Sequence, residues 1–320
     1  MSSRRLIAVT AVLALLPVAG LPSASASSSA GSSPPRPVAC DRPTDQESGS
    51  SALHTITSGG IERSYILRLP RGYDRKASWP LVVAYHGRGS TGTEIEGFSE
   101  LSTLPAVVAY PDGVVGTGDG YRQAWQGAPY APVGVDDVAF TEDLLDELQS
   151  DLCVDPTRTY ATGKSNGAGL VGLLACRLPE RFAAVAPVAG AFYPGAREGC
   201  EDAPAVPVLD VHGVADATIP YEGDVDRDLP AIRDWVAEWA ERDGCRPTPR
   251  TGSIGRDVLT YRFAGCDDGA AVEHVAIEGG GHVWPGADVY SGGGHVTHTI
   301  EASEVIWRFF RQHRLTQVQR

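Results

Sequence analysis

Two stretches, PLVVAY (80–85) and AAVAPVA (183–189), are apolar on both faces of an extended chain. A strand with one face in water alternates apolar and polar residues. One that does not alternate must be covered on both sides, which is the situation in a parallel sheet sandwiched by helices. Further strand-like runs lie at 63–69, 106–110, 159–162, 206–211, 258–263 and 272–277. Helix-like segments at 138–152, 168–178, 229–242 and 301–311 fall between or after them. The first, VAFTEDLLDELQSDL, repeats apolar residues three and four apart with carboxylates opposite. Strands alternating with helices predict α/β architecture, a mostly parallel central sheet with helices on both faces.

The ends of the chain set its boundaries. Arg4 and Arg5 precede an apolar run from Leu6 to Leu21, and Ala24-Ser25-Ala26 supplies small residues at a cleavage site. That order predicts a secretory signal peptide over 1–26 rather than an anchor, because Pro17 and Gly20 interrupt a run already short for a span. Residues 27–39 are Ser/Pro-rich and read as a disordered linker, leaving 40–320 as one catalytic domain. The net charge of −13 becomes −15 once Arg4 and Arg5 are removed with no acid. Without a Lys/Arg block such a chain is not a nucleic-acid binder, and no membrane association is expected after signal cleavage. Six cysteines in a secreted chain predict disulfides. Cys245 and Cys266 flank one strand-like segment and are the first expected pair; Cys176–Cys200 and Cys40–Cys153 follow. No C-x-x-C occurs, and His295 and His298 form H-x-x-H without a third ligand, so neither metal nor cofactor is expected.

In an open α/β sheet, ligands bind at the carboxyl ends of the strands. Four such ends carry polar residues here: His86-Gly87-Arg88-Gly89, Gly163-Lys164-Ser165-Asn166-Gly167, His212-Gly213-Val214-Ala215-Asp216, and Gly279-Gly280-Gly281-His282. The second matches G-x-S-x-G, a strand-to-helix turn that exposes a serine hydroxyl next to a helix N-terminus. Serine needs a base. His282 follows a strand and three glycines, downstream of an acid, as the order Ser…Asp…His requires. His274 lies inside a strand, where a satisfied core position is expected; His86 and His212 are expected to brace their loops. The acid is Asp216, in a loop, with Asp210 inside the strand as second choice; Asp136 and Asp137 are explained by helix capping. Backbone amides of Asn166 and Arg88 are the expected oxyanion donors, with glycines 87 and 89 allowing close approach.

Together "VVAYHGRGS", "VDDVAFTEDLLDEL", "DPTRTYATGKSNGAGL", "VLDVHGVADATIPY", "GGGHVWPG" and "EASEVIWRFF" resemble the secreted esterases of the polyhydroxybutyrate-depolymerase and feruloyl-esterase superfamily, which overlaps carbohydrate esterase family one. The resemblance covers nearly all of the chain after about residue 53. It implies the α/β-hydrolase fold, with Ser165 as nucleophile, Asp216 as acid and His282 as base. Lys164 stands where a small or apolar residue is expected.

The resemblance divides on substrate: hydroxycinnamate esters of plant cell-wall sugars, hydroxybutyrate oligomers, or acetylated xylan. Only a short tail follows the last helix, so a soluble or sugar-linked ester is expected ahead of insoluble granules. Trp125, Tyr221 and Trp284 fall in strand-end loops and are expected to stack on an aromatic acyl group or a sugar, with packing inside the loops as the alternative. A non-enzymatic binding protein on the same fold would need a damaged triad.

Overall fold

The computed structural model describes residue 40 and residues 44–116, 121–201 and 203–315; the expected signal peptide and linker lie outside them. Twelve strands occur among these residues. They are β1 (Ser51–Ser58), β2 (Ile61–Arg68), β3 (Trp79–Tyr85), β4 (Val107–Pro111), β5 (Val114–Val115), β6 (Gln123–Ala124), β7 (Val154–Lys164), β8 (Ala184–Val188), β9 (Val208–Gly213), β10 (Arg250–Ile254), β11 (Val258–Arg262) and β12 (Val272–Ile277). Five α-helices accompany them: α1 (Gly92–Ser99), α2 (Asp137–Asp151), α3 (Asn166–Arg177), α4 (Ile232–Arg242) and α5 (Ala302–Phe310).

Ten strands form one sheet in the order β1-β2-β4-β3-β7-β8-β9-β12-β11-β10. The stretch from β4 through β12 is parallel; β1, β2, β11 and β10 add antiparallel margins. β3 shows why both faces are apolar. Leu81, Val83 and Tyr85 join a core with α2, α3 and α4, whereas Val82 and Ala84 join a second core with α1 and α5. The chain runs from β3 to β4 on one side, then crosses over to β7 on the other, so the switch in strand order lies between β3 and β7. A crevice opens outside the carboxyl ends at such a point.

Helix ends follow their residues. Asp136 caps α2 by accepting from the Val138 and Ala139 amides. Asp137 departs from the capping expected of it. It is buried against Arg63 at 2.9 Å and accepts from the Gln126 amide. The Arg63 guanidinium also covers the Phe140 ring at 3.8 Å.

All three expected disulfides are present: Cys40–Cys153, Cys176–Cys200 and Cys245–Cys266, with sequence separations of 113, 24 and 21 residues. Beside the last, at the end of α4, Asp243 is buried next to Arg242. Burial pushes its carboxyl up to about 7 against the pull of Arg242 and the Val206 amide. A folded value above the unfolded one means that ionised Asp243 opposes folding above neutrality and that the penalty fades toward acid. Asp243→Asn is therefore expected to stabilise the protein by roughly 1–3 kcal/mol more at about pH 8 than at about pH 5. Equal shifts in Tm at the two pH values would contradict this.

Candidate active site

The turn after β7 holds Ser165 at φ 57° and ψ −118°, at the N-cap of α3. A non-glycine residue at such angles stores strain of about 1–3 kcal/mol, retained because surrounding contacts impose it. Here they do. The Ser165 amide donates to the Val188 carbonyl at 3.0 Å, and the Ser165 carbonyl accepts from Gly169 and Ala191. The flanking glycines are needed for space rather than for dihedral freedom. A Cβ on Gly167 would lie 2.3 Å from the Tyr85 carbonyl oxygen, and one on Gly163 would lie 2.8 Å from the same atom.

Across the sheet, the His282 Nδ1–H donates to Asp216 Oδ2 at 2.7 Å. A carboxylate only accepts, so this bond puts the ring proton on Nδ1 and leaves Nε2 as a lone-pair base. Asp216 is fixed from its other side as well, Oδ1 accepting from the Thr218 and Ile219 amides at 2.8 Å each. A second imidazole shares Oδ2: His212 Nε2 lies 3.3 Å from it and 3.0 Å from the Ile219 carbonyl. Burial alone would raise the Asp216 carboxyl, but hydrogen bonds from His212 and His282 hold it well below the ordinary range. Burial pushes His282 down; Asp216 opposes this, and the Lys164 ammonium adds to it.

The loop carrying His282 is tightly closed. The Gly281 amide donates to His295 and the His282 amide to Gly293, at 3.0 and 2.7 Å. Its glycines answer to crowding, since a Cβ on Gly281 would lie 2.5 Å from the Gly293 carbonyl oxygen.

Asn166 is the first residue of α3, and a helix's first amides lack intrahelical acceptors. The loop after β3 lies against the turn, with the Gly87 Cβ position 3.3 Å from Ser165 Cβ. It is pinned by the Gly89 amide on the Gln123 carbonyl, and the Arg88 guanidinium covers the Tyr130 ring at 4.1 Å. His86 braces the loop, Nδ1 donating to the Gly87 carbonyl and Nε2 accepting from the Gly113 amide.

Trp125, Tyr221 and Trp284 correct their expectation. They lie in packing, with 0%, 6% and 1% of their surfaces exposed, and none offers an open face for stacking. Trp125 is held by reciprocal hydrogen bonds between its backbone and the Asn166 side chain, and its Nε1–H reaches the His86 carbonyl. It therefore couples the β3 loop to the serine turn. The Tyr221 hydroxyl bonds His274 Nε2 at 2.8 Å, and His274 Nδ1 bonds Asp210 at 2.8 Å. That closed set accounts for Asp210 and His274 without the serine. Trp284 packs on Phe98 of α1. A tryptophan in a strand-end loop gives the same sequence signal whether its ring turns outward or inward. The sequence reading also missed that His212 reaches Asp216, though the i,i+4 spacing from a strand end into its loop was visible.

A parallel sheet with this strand order, a strained serine beyond β7 and an acid–imidazole pair beyond β9 and β12 defines the α/β-hydrolase class of serine hydrolases. The prolyl oligopeptidase family model matches residues 98–203, from the end of α1 to the loop between β8 and β9. A putative esterase, NocK of Nocardia uniformis subsp. tsuyamanensis, is 30% identical over 79% of this chain and 80% of that protein. Feruloyl esterase B of Piromyces equi is 30% identical over 69% of this chain, which spans 42% of that relative's length. Among solved structures, an acetyl xylan esterase from Aspergillus awamori superposes with a TM-score of 0.55 at 16% identity, covering 72% of this chain and 94% of that one. That last likeness is one of fold. The chain belongs to the α/β-hydrolase esterases, the group in which the Nocardia relative falls.

Proposed function

We propose that this protein is a secreted serine carboxylesterase that releases hydroxycinnamic acids from plant cell-wall polysaccharide through an acyl-enzyme. The observation that carries the ester-cleaving part is the 2.7 Å bond from His282 Nδ1 to Asp216, on the same sheet edge as the strained Ser165. In this reading His282 Nε2 takes the Ser165 proton as Oγ attacks the ester carbonyl. The Asn166 and Arg88 amides stabilise the oxyanion, and His282 returns the proton to the leaving alcohol. Water, deprotonated by the same imidazole, then cleaves the acyl-enzyme and regenerates the serine. Three disulfides support export to an oxidising compartment. The hydroxycinnamate preference is supported by relatives named feruloyl esterases.

A fluorophosphonate is expected to label the peptide containing Ser165; label on any other serine would sink the nucleophile assignment. The substrate is tested by comparing rates on methyl ferulate, a 3-hydroxybutyrate oligomer and acetylated xylan. Methyl ferulate is expected to turn over fastest. A ferulate rate at background with a fast hydroxybutyrate or acetyl rate would replace the substrate and leave the mechanism standing.

A further inference from the structure

Lys164, immediately before Ser165, is the one feature of the serine turn that ester cleavage does not require. Only 6% of its surface is exposed. No hydrogen bond or ion pair holds its ammonium among the described residues. Its Nζ reaches the loop that carries His282. A Cβ on Gly292 would lie 2.9 Å from Nζ and 1.9 Å from the His282 carbonyl oxygen. The adjacent carboxylate, Asp216, is already engaged by two amides and two imidazoles, so the lysine has a neighbour of opposite sign but no partner of its own. An unpaired ammonium in such a place is costly to bury, and removing it would relieve that cost.

We infer that Lys164 is a positioning residue of the esterase site, acting through His282: its ammonium disfavours a second positive charge on the imidazole and so extends activity toward acid. The inference rests on His282 being the base, as proposed above. Charge counting supplies the direction. The charged and titratable groups around His282 are Lys164 from β7, Asp216 from the loop after β9, and His212 from β9 itself. With both imidazoles neutral, Lys164 and Asp216 cancel. A proton on His282 then leaves the buried set with a net positive charge, and a proton on His212 makes the next one harder still. Without Lys164 the arithmetic reverses, because protonated His282 and Asp216 become the neutral pair.

The titration of the groups agrees. Burial lowers Lys164 to about 8 against the pull of Asp216, so it remains mostly charged where the acid limb falls. Burial also disfavours protonated His212, but its bond to Asp216 outweighs that and raises it; the two imidazoles on one carboxylate oxygen are pushed in opposite directions.

The test is the pH dependence of kcat/KM on an activated chromogenic ester, from about pH 5 to about pH 9, for the full chain and for Lys164→Met and Lys164→Arg. Lys164→Met is expected to move the midpoint of the acid limb up by about one pH unit, a roughly tenfold relative loss at the acid end. Lys164→Arg, which keeps the charge, is expected to leave that midpoint near its original position. A merely structural lysine would lower activity by one factor at every pH. An unmoved midpoint in Lys164→Met would overturn the inference. Should that variant fold poorly, Lys164→Gln gives the same readout. Fluorophosphonate labelling of Ser165 separates the two levels of argument. Labelling that persists undiminished in His282→Ala defeats the base assignment itself, whereas labelling lost in His282→Ala with an unmoved limb in Lys164→Met defeats only the role of Lys164.

Discussion

Ser165→Ala is expected to lower kcat on a chromogenic ester by about 10⁵-fold or more, with little change in KM. The methyl group left behind cannot form an acyl-enzyme, so only the oxyanion donors and binding remain to assist attack by water. The fold should survive. Alanine keeps the Cβ and all three backbone hydrogen bonds that impose the positive φ, and it loses only a hydroxyl from a residue that is little exposed. Circular dichroism and Tm close to those of the parent protein, with activity at background, are the expected pair of results. A variant retaining a tenth of the activity would remove Ser165 from the mechanism.

Asp216→Asn is expected to cost about 10⁴-fold in kcat and to destabilise the protein at the same time. Four donors converge on this carboxylate: the Thr218 and Ile219 amides on Oδ1, and His282 and His212 on Oδ2. An asparagine must turn its NH₂ toward one side or the other. Facing the amides, it sets donor against donor in a buried loop. Facing His282, it forces the imidazole into the other tautomer and removes the lone pair that the serine proton needs. The control is Asp210→Asn, which disturbs the His274–Tyr221 pair and is expected to leave kcat within about tenfold. Equal losses in the two variants would return the acid role to an open contest between Asp216 and Asp210.

Much of this was legible in the chain. The unalternating apolar strands required cover on both faces, and α2–α4 and α1 with α5 supply it. The strand-end reading pointed to Ser165, Asp216 and His282 because each lies in a glycine-containing segment just after a β-run, and the structure bonds His282 to Asp216. Elements that escaped notice had weak local signals. Strand β10 is exposed along its whole length, so RTGSI carries no burial pattern, and it exists only because β11 offers an edge. Helix α1 is eight residues long with two glycines, and packing of Ile95 and Phe98 sustains it. The aromatic residues failed for a different reason. A ring's periodicity says nothing about whether its loop folds over it, and Trp125 is committed by hydrogen bonds to Asn166 and His86, distant in sequence.

The sequence by itself determined the class of fold, the turn that strains Ser165, and the order in which Ser165, Asp216 and His282 follow their strands, because strand periodicity and glycine steric demands act over a few residues. Tertiary structure alone decided which groups share the Asp216 carboxylate, that three aromatics pack inward, and that Lys164 lies beside the His282 loop with no bonded partner among the described residues. Those outcomes depend on which strand ends become neighbours across the sheet. Burial and charge then act between residues far apart along the chain, beyond the reach of any local pattern.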